Sequence, residues 1–308
     1  MRRRLEGVFT ALVTPFTAGG AVDEEAVRRL ARRQIAGGVA GLVPVGTTGE
    51  SATLDADEHQ RVVELVVAEA RAASRPVEVI AGCGSNDTRR AVDLARRCRD
   101  AGADALLVVT PYYNKPTQAG LLAHFRHLAD AVDRPVVLYN VPGRTGCNLL
   151  PETVLELAAD ERFWGVKEAS GNLDQVSAIL RERPQGFAVL SGEDSLTLPV
   201  VALGGDGVVA VVSNEAPELL VELMAAAAGG ERERAAALHA QLVPLMKANF
   251  CESNPIPVKW AMARLGLMEP GLRLPLLPLV ERFHGLVEEA LTAVGLELPE
   301  AAVAAPRR

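Results

Sequence analysis

The side chain best suited to chemistry in this sequence is Lys167, which lies near the end of the apolar segment FWGVKEA, residues 163–169. An amine between apolar walls is hard to protonate, because burial disfavours its charged form. The free amine is a nucleophile that can add to a carbonyl carbon and form an imine. From the residues alone, two other arrangements remain open: a strand-end lysine whose head reaches solvent, and an ion pair with Glu168.

Hydroxyl side chains, rather than metal ligands, accompany the ends of other β-rich segments. Thr47 and Thr48 lie in VGTTGES, and the three tyrosines of the chain, Tyr112, Tyr113 and Tyr139, all lie at or just beyond such ends. Hydroxyl groups in series can pass protons without holding charge. The steps from an amine through an imine to an enamine need this kind of transfer.

A cation and a glycine turn are the remaining candidate binding groups. Arg144, in NVPGRTG, has a planar guanidinium suited to a carboxylate, although a solvated loop arginine is an alternative. The turn GTTG, residues 46–49, offers backbone N–H groups ahead of a helix as an anion site. His124 and His127 are one turn apart with no carboxylate-rich third position, so we predict no metal site.

Eight short β-rich segments, alternating with amphipathic helical segments, must position these residues. Most are continuous apolar runs, typical of parallel strands covered on both faces. The alternation predicts an α/β fold of the (β/α)8 TIM-barrel type, in which chemistry lies at the carboxyl ends of the strands. A doubly wound sheet would usually show GxGxxG after its first strand, and LVTPFTAGG does not match. The predicted strands span residues 6–15, 41–48, 77–82, 105–111, 135–140, 163–169, 187–192 and 207–213.

Helix-start signals separate the segments and mark a change late in the chain. Asp55 with Glu58, and Asn172 with Gln175, have capping-box spacing, and Pro217 suits a first helical turn. Beyond residue 217 the pattern becomes purely helical, which predicts a C-terminal helical extension. We divide the chain into the barrel strands and most barrel helices (1–217), the last barrel helix with the extension (218–296), and a tail expected to be disordered (297–308).

Composition argues against several classes of protein. The 308 residues carry a net charge of -7 with no basic stripe, so nucleic acid is not an expected partner. No apolar run approaches the ~18 residues of a membrane span. We expect Arg2–Arg4 to be a solvated start rather than the basic part of a secretory signal. The four cysteines are far apart without CxxC spacing, which favours a reduced cytoplasm.

Five motifs, taken together and in order, resemble the dihydrodipicolinate synthase family of pyruvate-dependent class I aldolases, with a likeness that runs from about residue 5 to 295. This resemblance implies a barrel followed by helices, usually a homotetramer arranged as a dimer of dimers. Its reaction would condense pyruvate with L-aspartate 4-semialdehyde, opening the diaminopimelate branch of lysine synthesis, without a metal or organic cofactor. The motifs are GTTGES (46–51), TPYYNKPTQ (110–118), YNVPGRTG (139–146), VKEASGNL (166–173) and NPIPVKW (254–260).

The resemblance also implies roles for single residues. Lys167 would form the Schiff base with pyruvate, and Tyr139 would shuttle protons. Thr47 and Tyr113 would extend the proton relay, with Tyr113 supplied by a neighbouring subunit. Arg144 would hold the carboxylate of the semialdehyde. The positions that match pyruvate contacts or lie near the same pocket are Thr48, Val209 and Gly192.

One departure from the family pattern concerns regulation. Members that lysine inhibits carry a histidine and a glutamate at the positions occupied here by Ala56 and Arg90. Since Arg90 would repel the ammonium group of the inhibitor, we expect weak or absent lysine inhibition. The other positions that fit this interface site are Ser51, Ala52, His59, Asn86 and Tyr112.

Three other functions remain open. N-acetylneuraminate lyases and 2-keto-3-deoxy sugar-acid aldolases would share Lys167, Tyr139 and the glycine turn, but they generally lack the arginine that is Arg144 here. A barrel that only binds a keto acid or a partner protein would not need the amine, the relay and the arginine together. A metal-dependent aldolase would require histidine and carboxylate ligands at its strand ends.

Overall fold

A computed structural model of the chain describes residues 5–299, and its centre is a closed barrel of eight parallel strands. Each strand pairs with the next, and the last pairs with the first, which confirms the predicted (β/α)8 barrel. The start at Arg2–Arg4 and tail residues 300–308 lie outside the described residues. The strands are β1 (Gly7–Ala11), β2 (Gly41–Val43), β3 (Glu78–Gly82), β4 (Ala105–Val109), β5 (Val136–Asn140), β6 (Phe163–Glu168), β7 (Ala188–Ser191) and β8 (Gly207–Ala210).

Helices surround the barrel and continue beyond it. The first eight follow strands β1 to β7, and the last four follow β8. In chain order they are α1 (Glu24–Ala36), α2 (Ala56–Ala72), α3 (Thr88–Asp100), α4 (Gln118–Ala131), α5 (Pro142–Thr145), α6 (Pro151–Ala158), α7 (Leu173–Glu182), α8 (Thr197–Ala202), α9 (Pro217–Ala228), α10 (Arg232–Ala248), α11 (Ile256–Arg264) and α12 (His284–Ala293).

Every strand is shorter than the apolar segment that predicts it. Six of the eight segments also contain the start of a loop, and those that predict β3 and β5 lose only their first residue. After β2, Pro44 has no N–H group with which to continue the ladder, and Val45 adopts a φ of 50°. After β8, the N–H groups of Val211 and Val212 donate to the side chain of Asp194. The loops that form the site therefore begin inside apolar sequence.

The helix-start signals are mostly confirmed. Asp55 and Glu58 form the reciprocal capping box at α2, and Pro217 occupies the first turn of α9. Asn172 caps α7 by accepting the N–H of Gln175. The Gln175 side chain donates instead to the Leu149 carbonyl oxygen at 3.3 Å, so the second capping box is only half formed.

Apolar side chains fill the interior of the barrel below the strand ends. Phe9, Leu107, Val137, Tyr139 and Val209 belong to this buried group. Burial of each large apolar side chain contributes roughly 1.5–3 kcal/mol. The candidate catalytic side chains at the strand ends therefore lie next to a packed apolar interior.

The C-terminal helices pack on one another and on the barrel, with α9 against β1 and α10 against both α9 and α12. The prediction that the pattern beyond residue 217 is purely helical is wrong for LLPLV, residues 276–280, which has no helical turn. Pro275 and Pro278 explain this, because proline lacks the N–H that a helix interior requires. Between residues 5 and 299, no helix has both the length and the apolar character needed to cross a membrane.

Candidate active site

Lys167 lies on β6 with its amine turned toward β5. The residue is 7% exposed, it pairs in register with Tyr139, and its Nζ lies 4.3 Å from the centre of the Tyr139 ring. Glu168 follows it and points to the opposite side of the sheet, where it accepts hydrogen bonds from Ser170 and Asn140. Lys167 is therefore neither a solvated strand end nor the ion partner of Glu168.

Gly192, just beyond β7, allows the chain to pass close to Lys167. A Cβ atom at Gly192 would lie 3.0 Å from the Lys167 Cγ and 2.6 Å from the Ala169 Cβ. Its N–H donates to the Glu168 carbonyl oxygen at 2.7 Å, which holds the β7 end against β6. Val209, on β8, is buried in the same apolar group as Tyr139. Gly192, predicted to lie near the pyruvate pocket, is thus next to Lys167, and Val209, predicted to contact pyruvate, lies in the barrel interior with Tyr139.

Asp194, which the sequence reasoning did not single out, is a buried carboxylate two residues beyond Gly192. It is 2% exposed, and it accepts the N–H groups of Val211 at 3.0 Å and of Val212 at 2.6 Å. Burial raises the pKa of Asp194 to about 6, while those N–H groups and the charge of Lys167 oppose the rise. The sequence signal that could have identified Asp194 is its place in SGEDS (191–195), two residues after the predicted strand at 187–192.

The GTTG turn is held by strained backbone and by long-range contacts. Val45 and Glu50 have φ angles of 50° and 52°, and Gly82 leaves room for the turn because a Cβ there would lie 2.4 Å from the Val45 carbonyl oxygen. Thr48 Oγ1 accepts a hydrogen bond from Asn254 Nδ2 at 2.9 Å. Thr47 is half-buried and lines the adjoining cavity.

Fewer backbone N–H groups of this turn are free to bind an anion than the sequence predicts. The N–H groups of Gly49 and Ser51 donate to the Gly46 carbonyl oxygen, and that of Glu50 donates to the Thr47 carbonyl oxygen. These three groups stabilise the turn itself. They are therefore not free to hold a substrate anion.

A fully buried ion pair anchors Glu50, the residue that directly follows the GTTG turn. Lys259 Nζ lies 2.5 Å from Glu50 Oε1 and donates to the Thr14 carbonyl oxygen at 2.9 Å. The other Glu50 oxygen accepts the Arg273 N–H at 3.1 Å. Burial lowers the pKa of Lys259, and Glu50 opposes this shift. The lysine of NPIPVKW is thus structural, a role that the sequence pattern does not reveal.

Arg144, on α5, is linked to the glycine turn through Asn254. Its Nη2 donates to the Asn254 carbonyl oxygen at 3.3 Å, while the Asn254 side chain binds Thr48. The Asn254 Oδ1 is buried without a hydrogen-bond partner among residues 5–299, and Asn254 lines the cavity. The sequence motif NPIPVKW contained Asn254 without indicating this bridging position.

A cavity of about 450 Å³ is lined by Tyr139, Thr47 and Arg144, among other residues. A second space of about 480 Å³ adjoins it and shares Ser51, His59, Leu94 and Arg90 as lining residues. Of the predicted interface positions, Ser51, Ala52, His59, Arg90 and Tyr112 line the first cavity, and Ala56 lines the second. Asn86 lines neither, and its carbonyl oxygen accepts a hydrogen bond from Asn114 at 2.8 Å.

Tyr113 does not enter the cavity of its own chain. It is 88% exposed, with a φ of 73° and its N–H bound to the Thr145 carbonyl oxygen at 3.2 Å. The neighbouring Tyr112 does line the cavity. A role for Tyr113 in proton transfer therefore requires the active site of another chain.

The histidines have structural surroundings. Burial lowers the pKa of His124 to about 4, its Nδ1 lies 2.9 Å from Thr88 Oγ1, and its ring meets Phe125 edge-on. His127 is exposed. Within the part of the chain that the structure describes, no group of three or more His, Cys, Asp or Glu side chains is placed to hold a metal ion.

Comparisons with known proteins agree with this geometry. The model of the dihydrodipicolinate synthetase family matches residues 4–294. A 4-hydroxy-tetrahydrodipicolinate synthase from Maridesulfovibrio salexigens is 50% identical over 292 residues, which cover 94% of this chain and 99% of that protein.

Two solved structures of similar proteins carry bound ligands. The chloride-inhibited dihydrodipicolinate synthase from Acinetobacter baumannii, complexed with pyruvate, is 41% identical with a TM-score of 0.91, covering 95% of this chain and 99% of its own. The enzyme from Cyanidioschyzon merolae with lysine bound is 40% identical with a TM-score of 0.91, again over 95% and 99%. The chain belongs to the dihydrodipicolinate synthetase family.

Proposed function

We propose that this chain condenses pyruvate with L-aspartate 4-semialdehyde, acting as a 4-hydroxy-tetrahydrodipicolinate synthase through a Schiff base on Lys167. The observation that carries the proposal is the buried Lys167 amine, 4.3 Å from the ring centre of Tyr139 at the carboxyl end of a (β/α)8 barrel. A curated relative that is 50% identical over almost its whole length has the same activity in its name.

The first half of the reaction uses Lys167 and Tyr139. The neutral amine adds to the ketone carbon of pyruvate, and the resulting carbinolamine takes up one proton and loses water to give a protonated imine. Loss of a proton from the pyruvate methyl carbon then gives a neutral enamine. The Tyr139 hydroxyl is the group on β5 that can deliver and collect these protons, with Thr47 as the next hydroxyl along the cavity wall.

The second half joins the two substrates. The enamine carbon attacks the aldehyde carbon, the new alkoxide takes a proton, and the lysine nitrogen again carries a protonated imine. The neutral amine of the semialdehyde then attacks the imine carbon, which closes the ring. Proton transfer from this nitrogen to the Lys167 nitrogen, followed by cleavage of the bond between Lys167 and that carbon, leaves a cyclic imine and frees the enzyme. These steps use groups of the chain and its substrates, and they call for no metal or organic cofactor.

Arg144 is the proposed site for the semialdehyde carboxylate. Its guanidinium lines the cavity and is steadied by the Asn254 carbonyl oxygen. A planar fork suits bidentate recognition of a carboxylate. The same group argues against an N-acetylneuraminate lyase or a deoxy sugar-acid aldolase, because those enzymes generally lack this arginine and need room for polyhydroxylated substrates.

We further propose that the chain forms a homotetramer, arranged as a dimer of dimers, in the cytoplasm. We also propose that the chain is divided into residues 1–217, 218–296 and 297–308. The exposure of Tyr113 supports an assembly in which that side chain enters the site of a second copy. Arg90 and Ala56 support weak or absent lysine inhibition, because they line the two cavities without adding an acid.

Borohydride reduction tests the Schiff base directly. Incubation of the purified protein with pyruvate and borohydride should add the reduced pyruvyl mass to Lys167, and omission of pyruvate should abolish the adduct. Lys167→Met should give no adduct and no turnover. The absence of any adduct in the wild-type protein would favour a barrel that only binds its ligand.

A coupled assay separates the enzyme from its relatives. The protein is offered L-aspartate 4-semialdehyde with pyruvate and, separately, sialic acid and 2-keto-3-deoxy sugar acids. Turnover with the semialdehyde alone supports the proposal. If the protein preferred to cleave sialic acid or a 2-keto-3-deoxy sugar acid, while borohydride still trapped pyruvate on Lys167, the chain would have another aldolase activity.

A further inference from the structure

A buried acid directly follows the lysine of the site on β6 and faces the other side of the sheet. We propose that the Glu168 carboxylate, bound to Asn140, fixes the ends of β5 and β6 and so positions the reacting groups of the site. The groups that it positions are Lys167, Tyr139 and Arg144. This inference rests on the Schiff-base function proposed above, and it adds a positioning residue that does not itself touch the substrate.

Glu168 and Asn140 are paired in the register of β6 and β5, directly after the pair that contains Lys167. The Asn140 Nδ2 donates to Glu168 Oε1 at 3.1 Å, and the two residues are 0% and 4% exposed, respectively. Because successive residues of a strand point to opposite faces, this hydrogen bond lies behind the sheet, while Lys167 and Tyr139 lie in front of it. The bond therefore fixes the two strands at the level where the amine and the phenol ring face one another.

The Glu168 carboxylate is surrounded by hydrogen-bond donors. Its Oε1 also accepts the Ser170 N–H at 2.8 Å, while Oε2 accepts the Ser170 hydroxyl at 2.9 Å and, more weakly, the Gln175 side-chain N–H at 3.5 Å. An ionised carboxylate offers about four acceptor positions, and these groups together with Asn140 occupy them. Burial raises the pKa of Glu168, and the surrounding hydrogen bonds oppose the rise. The side chain thus serves as an anchor that accepts hydrogen bonds from neutral groups.

Asn140 also closes the segment that carries Arg144. Its Oδ1 accepts the Leu149 N–H at 2.9 Å, and its Nδ2 donates to Asn148 Oδ1 at 2.8 Å. The chain leaves β5 at Asn140 and returns to the Asn140 side chain, and α5 with Arg144 lies between these two points. An amide nitrogen has two hydrogens to donate, and Glu168 accepts from the same Nδ2. Loss of the Glu168 acceptor should therefore loosen the Arg144 segment as well as the strand ends.

A purely structural role for Glu168 is the alternative, since removal of a buried acceptor leaves its donors unsatisfied and costs stability. The two roles differ in the behaviour of the protein that remains folded. If Glu168 positions the reacting groups, folded variants that withdraw its acceptor form the imine slowly and turn over slowly. If Glu168 only stabilises the fold, those variants lose free energy of unfolding, while kcat per folded molecule stays unchanged.

Two conservative substitutions separate the reach of this side chain from its charge. Glu168→Gln removes the charge but keeps an oxygen that can accept from Asn140 and from the Ser170 N–H. Glu168→Asp keeps the charge but withdraws the carboxylate by about 1.5 Å, the length of one C–C bond. Positioning by hydrogen bonds predicts that Glu168→Gln retains activity and Glu168→Asp loses it. An effect of the negative charge itself predicts the reverse order.

Asp206 offers a matched control at the other end of the barrel. Its carboxylate accepts the Val189 N–H at 2.8 Å and pairs with Arg183, so it joins neighbouring strands through an acceptor, as Glu168 does. Because Asp206 directly precedes β8, it lies at the amino ends of the strands, away from the candidate active site. Asp206→Ala should lower the free energy of unfolding and leave kcat unchanged.

The experiment compares the wild type with Glu168→Gln, Glu168→Asp and Asp206→Ala. It measures the rate of pyruvate-dependent borohydride trapping on Lys167, steady-state kinetics in both substrates, and the free energy of unfolding. We expect Glu168→Asp to lose roughly 10–100-fold in the trapping rate and in kcat, because small displacements of reacting groups have effects of this size. Its KM for L-aspartate 4-semialdehyde should also rise, since the Arg144 segment is held through the same amide. Glu168→Gln should stay close to the wild type in all these quantities.

Unchanged trapping and kcat in folded Glu168→Asp overturn the inference, and so does a loss in Glu168→Gln as large as that in Glu168→Asp. Failure to trap pyruvate in the wild type overturns the Schiff-base function instead. If Glu168→Asp does not fold, Asn140→Asp removes the same hydrogen bond from its other side and keeps the acceptor for the Leu149 N–H. Folded Asn140→Asp should show the same losses in trapping and kcat, and wild-type values in it contradict the proposal.

Discussion

Tyr139 and Lys167 are paired in the register of β5 and β6, and the lysine Nζ lies 4.3 Å from the centre of the tyrosine ring. Side chains at one level of adjacent parallel strands point to the same side of the sheet. Their separation is thus set by barrel closure rather than by a loop. Sites on such rigid elements hold their geometry well, so changes at Tyr139 should affect the chemical steps more than the fold.

Tyr139→Phe removes the hydroxyl and keeps the ring that faces Lys167. Loss of a proton-transfer group lowers the rate by roughly 10²–10⁴-fold. We expect kcat to fall by that amount, with KM for pyruvate changed only a few-fold, in steady-state assays. Tyr112→Phe is the matched control, because Tyr112 lines the same cavity away from Lys167. A wild-type kcat in Tyr139→Phe would remove Tyr139 from the relay.

The barrel and the pair at its centre were predictable because their signals are local. Apolar runs that alternate with helical segments predict parallel strands, and Lys167 and Tyr139 end two of those runs. Strand lengths were overestimated, since apolar residues such as Val211 continue into loops. Hydrophobic pattern alone does not show where the ladder stops.

The residues that sequence reasoning missed act through contacts between distant parts of the chain. Asn254 binds Thr48 across 206 positions, and Lys259 binds Glu50 across 209. The hydrophobic periodicity of a segment does not predict contacts between residues so far apart in the sequence. For Tyr113 the strand-end position was foreseeable, but its exposure outside the cavity of its own chain was not readable from the residues alone.

Arg144→Lys keeps a positive charge and loses the planar fork. A lysine cannot hold a carboxylate through two parallel N–H groups. We expect kcat/KM for L-aspartate 4-semialdehyde to fall roughly 10–100-fold, equivalent to about 1.4–2.7 kcal/mol, while pyruvate trapping stays normal. Steady-state kinetics in each substrate, beside borohydride trapping, measure the two effects.

Asn254→Ala provides the contrast to Arg144→Lys. It removes the hydrogen bond to Thr48 but keeps the backbone carbonyl oxygen that Arg144 binds. The loss should therefore appear in KM for pyruvate, by roughly tenfold. If Asn254→Ala impaired only the semialdehyde, the assignment of Thr48 to pyruvate would be wrong.

Tyr113→Phe tests whether one copy of the chain completes the site of another. Since Tyr113 lies outside its own cavity, homogeneous Tyr113→Phe should lose roughly 10²-fold or more in kcat. Mixed with Lys167→Met, which is inactive but supplies an intact Tyr113, it should regain activity after subunit exchange. If the activity of the mixture did not exceed the summed activities of the two variants measured separately, a shared site would be excluded.

Lys259→Met leaves the Glu50 carboxylate buried without its cation. Removing one partner of a buried pair costs about 3–5 kcal/mol, which denaturant unfolding at pH 7 should show as a loss in the free energy of unfolding. The double variant Lys259→Met with Glu50→Gln should recover part of this loss. Arg61→Met, which breaks an exposed pair with Glu24, should change stability little. Equal losses in Lys259→Met and Arg61→Met would contradict a special cost of burial.

Arg90 should decide how the chain responds to lysine. Its guanidinium lines the cavity beside His59, whose pKa is lowered to about 4 by burial, so His59 is neutral at pH 7 and the repulsion comes from Arg90. We expect no inhibition of the wild type at sub-millimolar lysine. Arg90→Glu should create sensitivity, measured as a fall in the inhibition constant of roughly tenfold or more, whereas Arg89→Glu, on a neighbouring residue that does not line the cavity, should not. Strong inhibition of the unmodified enzyme would show that the cavity binds lysine despite this charge.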